Sequence, residues 1–384
     1  MTNGQDHKYK AYDGWLMNDG PVALVIRQYL IPATQTDDII FPPSYANPSE
    51  KKTDPPVYNI DGEGAASVCV LDSIPSQANR LEPMFSLGKY RDLVPQVEIK
   101  FKDGLIRNLL EIGHRIADAA FRGTELGPDI KNALDDFKKD NALTLARLAP
   151  TSLIFGAWDS RDSQVKIPRL INSIIRARNV VQLKRSAQYI PAINYESEGL
   201  LPDDLEGKPS EVGLADVPSV HKIGGVQVNG EIIRDASLNL ASLRCLRGGT
   251  PDETLRLQRY ILGLSLIAMA AEPDLNLRQG CLLTLNPQKP FSSELVARSG
   301  QRTSHEIDPV FAAEFAKSAA RDFGVYQSET KMLTFDPKRL KAWLDADKDA
   351  KKDRKNRKAK KNADGESASS DHTGAAAPQA EESA

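Results

Sequence analysis

Apolar positions along the chain fall into short runs that are typical of strands. In residues 21–31 (PVALVIRQYLI) the polar interruptions are Arg27 and Gln28, so this run predicts a strand. The short apolar run at residues 151–158 predicts a buried strand. Residues 67–71 are a further short apolar segment, and two more strands are predicted at residues 94–101 and 278–286.

Helices are predicted where apolar residues recur every three or four positions, or where a capping residue starts a run. Asp72 or Ser73 can cap a helix through SIPSQANRLEPMF, and Thr250 with Glu253 forms a capping-box pattern. The predicted helices lie at residues 73–85, 105–121, 127–147, 250–271 and 308–323, and one more strand and helix are predicted within residues 332–344.

Polar and turn-forming residues divide the remaining chain. Residues 1–20 are predicted to be a flexible lead-in, and residues 345–384 a disordered charged tail. Between them we expect a single elaborated domain at residues 21–344, with insertions near 32–61 and 194–235. Within the second insertion, Gly224–Gly225 and Asn229–Gly230 predict a β-hairpin whose second half is residues 231–246.

A basic segment follows the apolar run at 151–158. Six cations alternate with apolar residues there, and the two preceding acids, Asp159 and Asp162, are the only ones nearby. Such a pattern fits a solvated amphipathic surface, but it also fits an element that presents cations to a phosphate backbone. The cations are Lys166, Arg169, Arg176, Arg178, Lys184 and Arg185.

Charge is unevenly distributed along the chain. The formal net charge is −2, yet residues 348–361 alone carry nine Lys or Arg and two Asp, so the rest is acidic. An acidic body argues against indiscriminate coating of nucleic acid. A narrow basic groove remains compatible with it, because local potential guides a polyanion.

Several classes of protein are disfavoured by the sequence. The three cysteines, Cys69, Cys245 and Cys281, are far apart, which argues against zinc and against a secreted disulfide framework. No nucleotide-binding, metalloprotease or serine-hydrolase motif is present. The first twenty residues are polar, and no apolar run is long enough to span a bilayer. We therefore expect a cytoplasmic protein with no cofactor, no metal and no membrane association.

Three segments resemble, in this order, the backbone subunit of type I-U/I-G CRISPR surveillance complexes, the Cas-seven family of the RAMP superfamily. They are residues 70–82 (VLDSIPSQANRLE), 149–180 (APTSLIFGAWDS…KIPRLINSIIRARNV) and 223–246 (IGGVQVNGEIIRDASLNLASLRCL). The likeness covers most of residues 22–344. It is poorest at residues 32–61, at 194–218 and in the tail.

This resemblance implies an α+β protein with an RRM-like (ferredoxin-like) palm and long inserted finger and thumb segments. It also implies a non-catalytic, antiviral role, in which copies polymerise along one CRISPR RNA and present it to target DNA. The implied partners are CRISPR RNA, the target DNA strand, neighbouring copies, and the large and end-capping subunits of the complex.

A guide must be held whatever its sequence, so the protein should contact phosphates and sugars more than base edges. Polar and basic residues in the family-like segments suit this task. The predicted RNA-binding residues are Ser76, Gln77, Asn79, Arg80, Lys166, Arg169, Ser173, Arg176, Arg178, Arg185, Lys222 and Arg234.

Two other functions remain open from the sequence. The RAMP superfamily includes endoribonucleases, and His221 with Lys222 is the one pair that could serve such a reaction. These residues lie beside a glycine-rich turn, which is a poor platform for catalysis, and His114 is more typical of a surface or core residue. The third possibility is a scaffold that binds no nucleic acid.

Overall fold

The computed structural model describes residues 10–34, 38–49 and 54–346. Its strands are β1 (Ala23–Pro32), β2 (Ile39–Ile40), β3 (Ile60–Asp61), β4 (Val68–Asp72), β5 (Val97–Lys100), β6 (Ile106–Asn108), β7 (Ala157–Trp158), β8 (Lys166–Ile167), β9 (Ile171–Arg178), β10 (Val180–Tyr189), β11 (Val217–Val228), β12 (Ile232–Asn239), β13 (Leu275–Arg278), β14 (Cys281–Leu285), β15 (Ser292–Val296), β16 (Arg302–Ser304) and β17 (Lys331–Thr334). The predicted tail at residues 345–384 lies almost wholly outside the described residues.

The α-helices are α1 (Asp13–Leu16), α2 (Ile74–Leu81), α3 (Ala119–Arg122), α4 (Gly127–Lys138), α5 (Leu143–Leu148), α6 (Pro150–Phe155), α7 (Leu240–Leu243), α8 (Pro251–Ala270), α9 (Pro309–Phe323) and α10 (337–346). Short 3-10 helices lie at Gly64–Ala66, Glu82–Ser86, Gly88–Leu93, Leu109–Glu111, Arg115–Ala117 and Pro209–Val212. Within the described residues, no helix combines the length and apolar character needed to cross a bilayer.

Nine strands form the main sheet, in the order β13-β14-β1-β12-β9-β4-β3, with β15 beside β1 and β16 beside β15. All its pairings are antiparallel. Smaller sheets are formed by β10-β11-β2, by β17-β5-β6 and by β7-β8. Together with the helices, this confirms the prediction of an α+β protein.

The two faces of the main sheet differ in burial. Leu24, Ile26 and Leu238 alternate inward and are buried in one core with α8 and α9. The residues between them point to the other face, where Arg27 lies opposite Asp235. This second face, which we call the open face, has no helix packed on it at Arg27, so charged side chains there reach solvent.

A second apolar core lies on the same buried face of the main sheet as the first core, at its other end. It includes Leu30, Ile175, Ile232 and Val226, and it joins the main sheet to β10-β11-β2. β1, β9 and β12 pass through both cores, because each also contributes residues to the first one, namely Leu24, Ile171 and Leu238. Each of these strands is therefore anchored twice.

A buried polar layer, formed by Gln28, Asp72, Gln77, Ser173 and Arg234, accompanies the two cores. The Arg234 guanidinium donates to Gln28 Oε1 at 2.7 Å, to Gln77 Oε1 at 3.2 Å and to Ser173 Oγ at 3.1 Å. Gln77 Nε2 in turn donates to an Asp72 carboxylate oxygen. Burial lowers the pKa of Arg234 to about 10. These bonds tie α2 to β1, β9 and β12.

Two predicted elements are wrong in type. The run at 151–158 is mostly helix α6, with a strand only at Ala157–Trp158. Pro150 occupies the first turn of that helix, where its missing N–H costs nothing, and a short buried apolar run does not distinguish helix from strand by periodicity. Residues 105–121 are not one helix either. Asn108 and Glu111 form a capping box there, and Arg115 has a left-handed φ of 53°, so the segment breaks into short turns.

The hairpin predicted over residues 221–246 is also wrong, because β11 and β12 pair with other strands and not with each other. Gly224 and Gly225 lie inside β11, at an irregularity in its pairing with β10, and only Asn229–Gly230 forms a turn. The insertion predicted at residues 194–235 is smaller than expected, because β12 is a central strand of the main sheet. The extended segment is instead the pair β10 and β11, which we call the ribbon, with residues 190–216 between them.

The described part of the predicted lead-in is packed. Tyr12 and Leu16 are buried in the first core, and the Asp13 carboxylate accepts two hydrogen bonds from Arg259 of α8. A single helical turn carries both the apolar and the ionic contact, a pattern too short to stand out in the sequence. The described residues between 33 and 59 are mostly irregular, as predicted, but they include β2, which pairs with β11.

The region predicted as one strand at residues 278–286 is a hairpin, in which β13 and β14 join through Gly280. Gly280 has a φ of +84°, which allows the turn between the two strands. The apolar run around it predicts a single strand and gives no sign of this turn. By contrast, α8 and α9 match their predicted positions closely. Thr250 accepts the backbone N–H of Glu253 as the capping box requires.

Candidate nucleic-acid interface

Three predicted RNA contacts lie in the buried polar layer. Gln77, Ser173 and Arg234 are at most 2% exposed and bond to one another. The expectation that they face RNA is not met, because their polar atoms serve to join α2 to β9 and β12. The contacts cross up to 157 positions of sequence, which no local pattern reveals.

The hydrogen-bond donors of Arg80 are also used within the protein. Its Nε donates to Asp72 Oδ2 at 3.0 Å, and its two terminal nitrogens donate to the carbonyls of Asn276 and Leu277, each at 3.0 Å. Arg80, predicted as an RNA contact, is therefore paired with an acid of the protein. Ser76, on the same helix, is partly buried.

Asn79 is exposed at the end of α2 and contacts a residue that the sequence did not single out. Its Oδ1 accepts a hydrogen bond of 3.1 Å from Arg115, whose Nε lies 2.6 Å from Glu82 Oε2. Both members of this ion pair are buried. Loss of solvation raises the pKa of Glu82 to about 7, against the attraction of Arg115. Because Arg115 was placed on a predicted helix, its inward position could not be foreseen.

Arg169 adjoins the same cluster and is not neutralised. Its Nε is buried and has no hydrogen-bond partner within the described chain. Burial, and next the charge of Arg115, lower the pKa of the Arg169 guanidinium. Two cations thus share a region in which, among the described residues, Glu82 is the one buried acid bonded to either. The region is suited to an incoming anion.

Gly156 makes room for this arrangement. It ends α6 with a φ of +77°, and a Cβ there would lie 2.7 Å from Arg169 Cγ and 3.0 Å from the Ile167 carbonyl. A side chain at this position would therefore be strained in its backbone and would also displace Arg169.

We expect Gly156→Ala to lower the free energy of unfolding by about 3 kcal/mol, from backbone strain and from overpacking. Gly104→Ala is the matched control, because Gly104 has a similar φ of +84° with nothing within 4 Å of the added Cβ. It should cost about 1 kcal/mol from strain alone. Urea denaturation of both variants measures the difference, and equal losses would show that the contact with Arg169 is unimportant.

Arg176 and Arg178 lie on the open face of β9. Val70 and Ile233 flank Arg176 across the sheet, and neither arginine has an ion-pair or side-chain hydrogen-bond partner in the described ranges. Other arginines of that face are compensated, since Arg27 binds Asp235 at 2.8 Å and Arg302 binds Glu294 at 3.0 Å. The strand thus carries positive charge that the protein does not neutralise.

The ribbon adds a second uncompensated pair. Arg185 and Lys222 are directly opposite each other in the register of β10 and β11, and both are exposed. Like charges directly opposite in a sheet repel, so their juxtaposition destabilises the ribbon by itself. An anion between them would remove this repulsion. Lys184, next to Arg185, is also exposed.

Lys166 lies on a small hairpin, β7-β8, directly opposite Trp158. Both side chains are exposed. Asp159 holds the hairpin loop, because its carboxylate accepts from the backbone of Ser163 at 3.0 Å and from Arg122 at 2.9 Å. The apolar run that ends at Trp158 predicts a buried strand, so no sequence pattern singles out this side chain.

The predicted residues therefore do not form one cluster. Lys166 and Arg169 precede β9, Arg176 and Arg178 lie toward its end, and Arg185 with Lys222 lies on the ribbon beyond. At about 3.3 Å per residue, the eight residues of β9 alone span about 26 Å. Only an extended ligand could contact all of these cations at once.

Other chemistry finds little support in the described residues. No group of three or more His, Cys, Asp or Glu side chains in that part of the chain could hold a metal ion. The side chain of His221 lies outside the description, whereas His114 is exposed next to Arg115. Cys69 and Cys281 are buried thiols, and burial raises the pKa of each to about 12, so they remain protonated.

A search of curated proteins finds no match to this chain. The family model described as CRISPR-associated protein GSU0053 (Cas_GSU0053) matches residues 24–182. The match begins in β1 and ends in β10, and so it includes α2, the β7-β8 hairpin and the cations of β9. Over this segment the chain is similar to the CRISPR-associated GSU0053 family, a Cas-seven type family, as the motifs of the sequence indicated.

Proposed function

We propose that this protein is a non-catalytic backbone subunit that holds CRISPR RNA through its phosphates. The observation that carries the proposal is the series of uncompensated cations, Arg169, Arg176, Arg178 and the Arg185–Lys222 pair, which follows β9 onto the ribbon. Because these groups lie on an extended track, they suit a single strand. Arginine and lysine contacts to phosphate carry no sequence information, which is what a guide-holding subunit needs.

The proposed palm is RRM-like. Four strands of the main sheet lie in the spatial order β14-β1-β12-β9, with helices between β1 and β9 in sequence, and with α8 between β12 and β14. This connectivity corresponds to the β-α-β-β-α-β arrangement of ferredoxin-like folds. In that correspondence the ribbon is the insertion between the second and third strands, and it takes the role of a thumb or finger.

Assembly follows from the same proposal. Copies would line up along one RNA and present it to a target DNA strand, with a large subunit and an end-capping subunit completing a type I-U/I-G complex in the cytoplasm. Apolar side chains are exposed at the far end of the ribbon, including Tyr189 and Ile190. In a monomer these apolar side chains are exposed to water, whereas a neighbouring copy could cover them.

The test is the salt dependence of RNA binding. For a single strand, each lost phosphate contact should lower the slope of log K against log salt by about 0.7. We expect this change for Arg169→Ala, Arg176→Ala and Arg178→Ala, equally on two RNAs of unrelated sequence. Because many subunits share one RNA, complex formation should fail more sharply than monomer binding.

Arg302→Ala is the matched control. It removes an exposed arginine near the open face, but one that Glu294 already neutralises. Its slope should remain that of the unmodified protein. A folded Arg176→Ala protein with an unchanged slope would remove that residue from the interface, and weaker binding on one RNA alone would indicate base reading instead of a phosphate grip.

A further inference from the structure

Trp158 is the exception among the three tryptophans of the chain. Trp15 packs edge-on against Tyr12 and His305, and Trp343 lies under the Arg122 guanidinium. Trp158 is 65% exposed. It contacts no other ring and no cation in the part of the chain that the structure describes. An indole in water exposes a large apolar area, which calls for an explanation.

The exposure is imposed by a rigid hairpin. Trp158 pairs with Lys166 and Ala157 with Ile167, and the Asp159 N–H donates to the Val165 carbonyl at 2.9 Å. Val165 and Ile167 are buried on one side of β8, so Lys166 and its cross-strand partner Trp158 face the other. The indole is therefore held outward by the register of the strands. The hairpin pairing therefore reduces the backbone entropy that is lost when a ligand binds the indole.

The surroundings of Trp158 are positively charged. Lys166 lies directly opposite it, and Arg161, in the loop of the same hairpin, is exposed. Arg169 follows two residues after the hairpin, with its buried Nε unpartnered. The acids of the loop are already bound, since Arg122 pairs with both Asp159 and Asp162. A flat apolar ring with free cations beside it suits a ligand that joins a planar ring to a phosphate.

We propose that Trp158 is a stacking platform for one base of single-stranded RNA, with the adjoining phosphates at Lys166 and Arg169. This inference rests on the proposed function and adds to it a contact with a base. Stacking on an aromatic ring tolerates every base, so the contact is compatible with a guide of any sequence. A base held at each copy would give the RNA a fixed register relative to the subunit.

The experiment compares two probes of equal length, an unstructured mixed-sequence RNA and an abasic oligomer with the same phosphodiester backbone. Trp158→Ala should weaken binding of the RNA about tenfold, which is the usual loss on removing one stacked base. It should leave the salt slope unchanged, because no charge is removed. Binding of the abasic oligomer should not change. Trp158→Phe should retain most of the RNA affinity but lose the quenching of tryptophan emission on binding.

Phe291→Ala serves as the control, because it removes another exposed aromatic side chain, and it should bind RNA normally. A folded Trp158→Ala protein that binds both probes normally would overturn the inference, while the salt-slope results for Arg176 would still support the proposed function. A wild-type protein that binds neither probe would overturn both. If Trp158→Ala changed self-association in sedimentation but not RNA affinity, the indole would be a protein contact and the inference would be wrong.

Discussion

Replacing Arg115 by methionine is expected to lower the free energy of unfolding by about 3–5 kcal/mol at pH 8, because it leaves the buried Glu82 carboxylate without its counter-charge. Arg115 also donates to Asn79 and to the Gly156 carbonyl, so the variant should loosen the end of α2 and the junction with β7. Urea denaturation at fixed pH measures the loss.

The same pair should make the stability of the protein depend on pH, with a sign that follows from the pKa of Glu82. The pKa of Glu82 is raised to about 7, above its ordinary value of 4.5, so the folded state binds the proton more tightly than the unfolded state. The resulting stabilisation is complete below pH 4.5 and is lost as the pH rises through 7. The free energy of unfolding should fall by about 3 kcal/mol between these limits. Glu82→Gln should abolish this dependence.

Glu82→Gln also serves as the control for Arg115→Met. In the double variant no buried carboxylate remains, so the second substitution should cost much less than it does alone. If Arg115→Met were equally destabilising with and without Glu82, the ion pair would not be the cause. The free energy of unfolding should be measured at pH 5 and pH 8 for the wild-type protein and for Glu82→Gln. If both proteins showed the same change between the two pH values, the pKa of Glu82 would not be raised.

Asp159→Ala is expected to have a similar effect through a second buried pair, again about 3–5 kcal/mol. The carboxylate accepts from Arg122 at 2.9 Å, from Ser163 Oγ at 2.8 Å and from the Ser163 N–H at 3.0 Å. Removing it leaves the buried Arg122 guanidinium with the Asp162 carboxylate, 3.5 Å away, and leaves several loop donors unsatisfied. Because these bonds shape the loop of the β7-β8 hairpin, we also expect RNA binding at Trp158 and Lys166 to weaken.

This pair has the opposite pH dependence. Burial alone would raise the pKa of Asp159, but the hydrogen bonds from Ser163 and the charge of Arg122 outweigh it, and the pKa is lowered from 3.8. Its stabilisation is therefore complete above pH 3.8 and is lost as the pH falls through the lower, folded value. Asp159→Asn, which keeps one acceptor oxygen but no charge, should cost less than alanine. Thermal melts between pH 2 and 6 test this, and equal losses for the two variants would contradict a charge-based role.

The elements that the sequence predicted well carry their signal locally. In α8 the capping residues Thr250 and Glu253 are adjacent to the helix they start, and in β1 the alternation matches burial on one face. The predictions that were wrong also have identifiable physical causes. Residues 151–155 are buried on all sides, so their apolar run has no periodicity that distinguishes helix from strand. At residues 105–121 the apolar spacing of a helix is overridden by Arg115, whose backbone is left-handed.

The site was harder to predict than the fold, because polar residue types do not reveal burial. Gln77, Ser173 and Arg234 have the side chains of an RNA-binding surface, yet they satisfy one another inside the protein. Arg80 and Arg176 look alike in sequence, and only the long-range fold gives one of them three bonds and the other none in the described ranges. What the sequence did reveal was the excess of cations in β9.

The double anchoring of β9 and β12 gives the molecule a direction in which it resists mechanical load. The ribbon continues from β9 and β12 at a junction where the Asn229 N–H donates to the Asn179 carbonyl and the Gly230 N–H to the Arg178 carbonyl, so tension on the ribbon tip is transmitted to both strands. That tension loads the ladders to β4 and β1 in shear, with many hydrogen bonds sharing the force at once. A sideways pull would instead open them one by one. In the filament proposed above, each copy would therefore resist tension along its ribbon more strongly than a sideways pull.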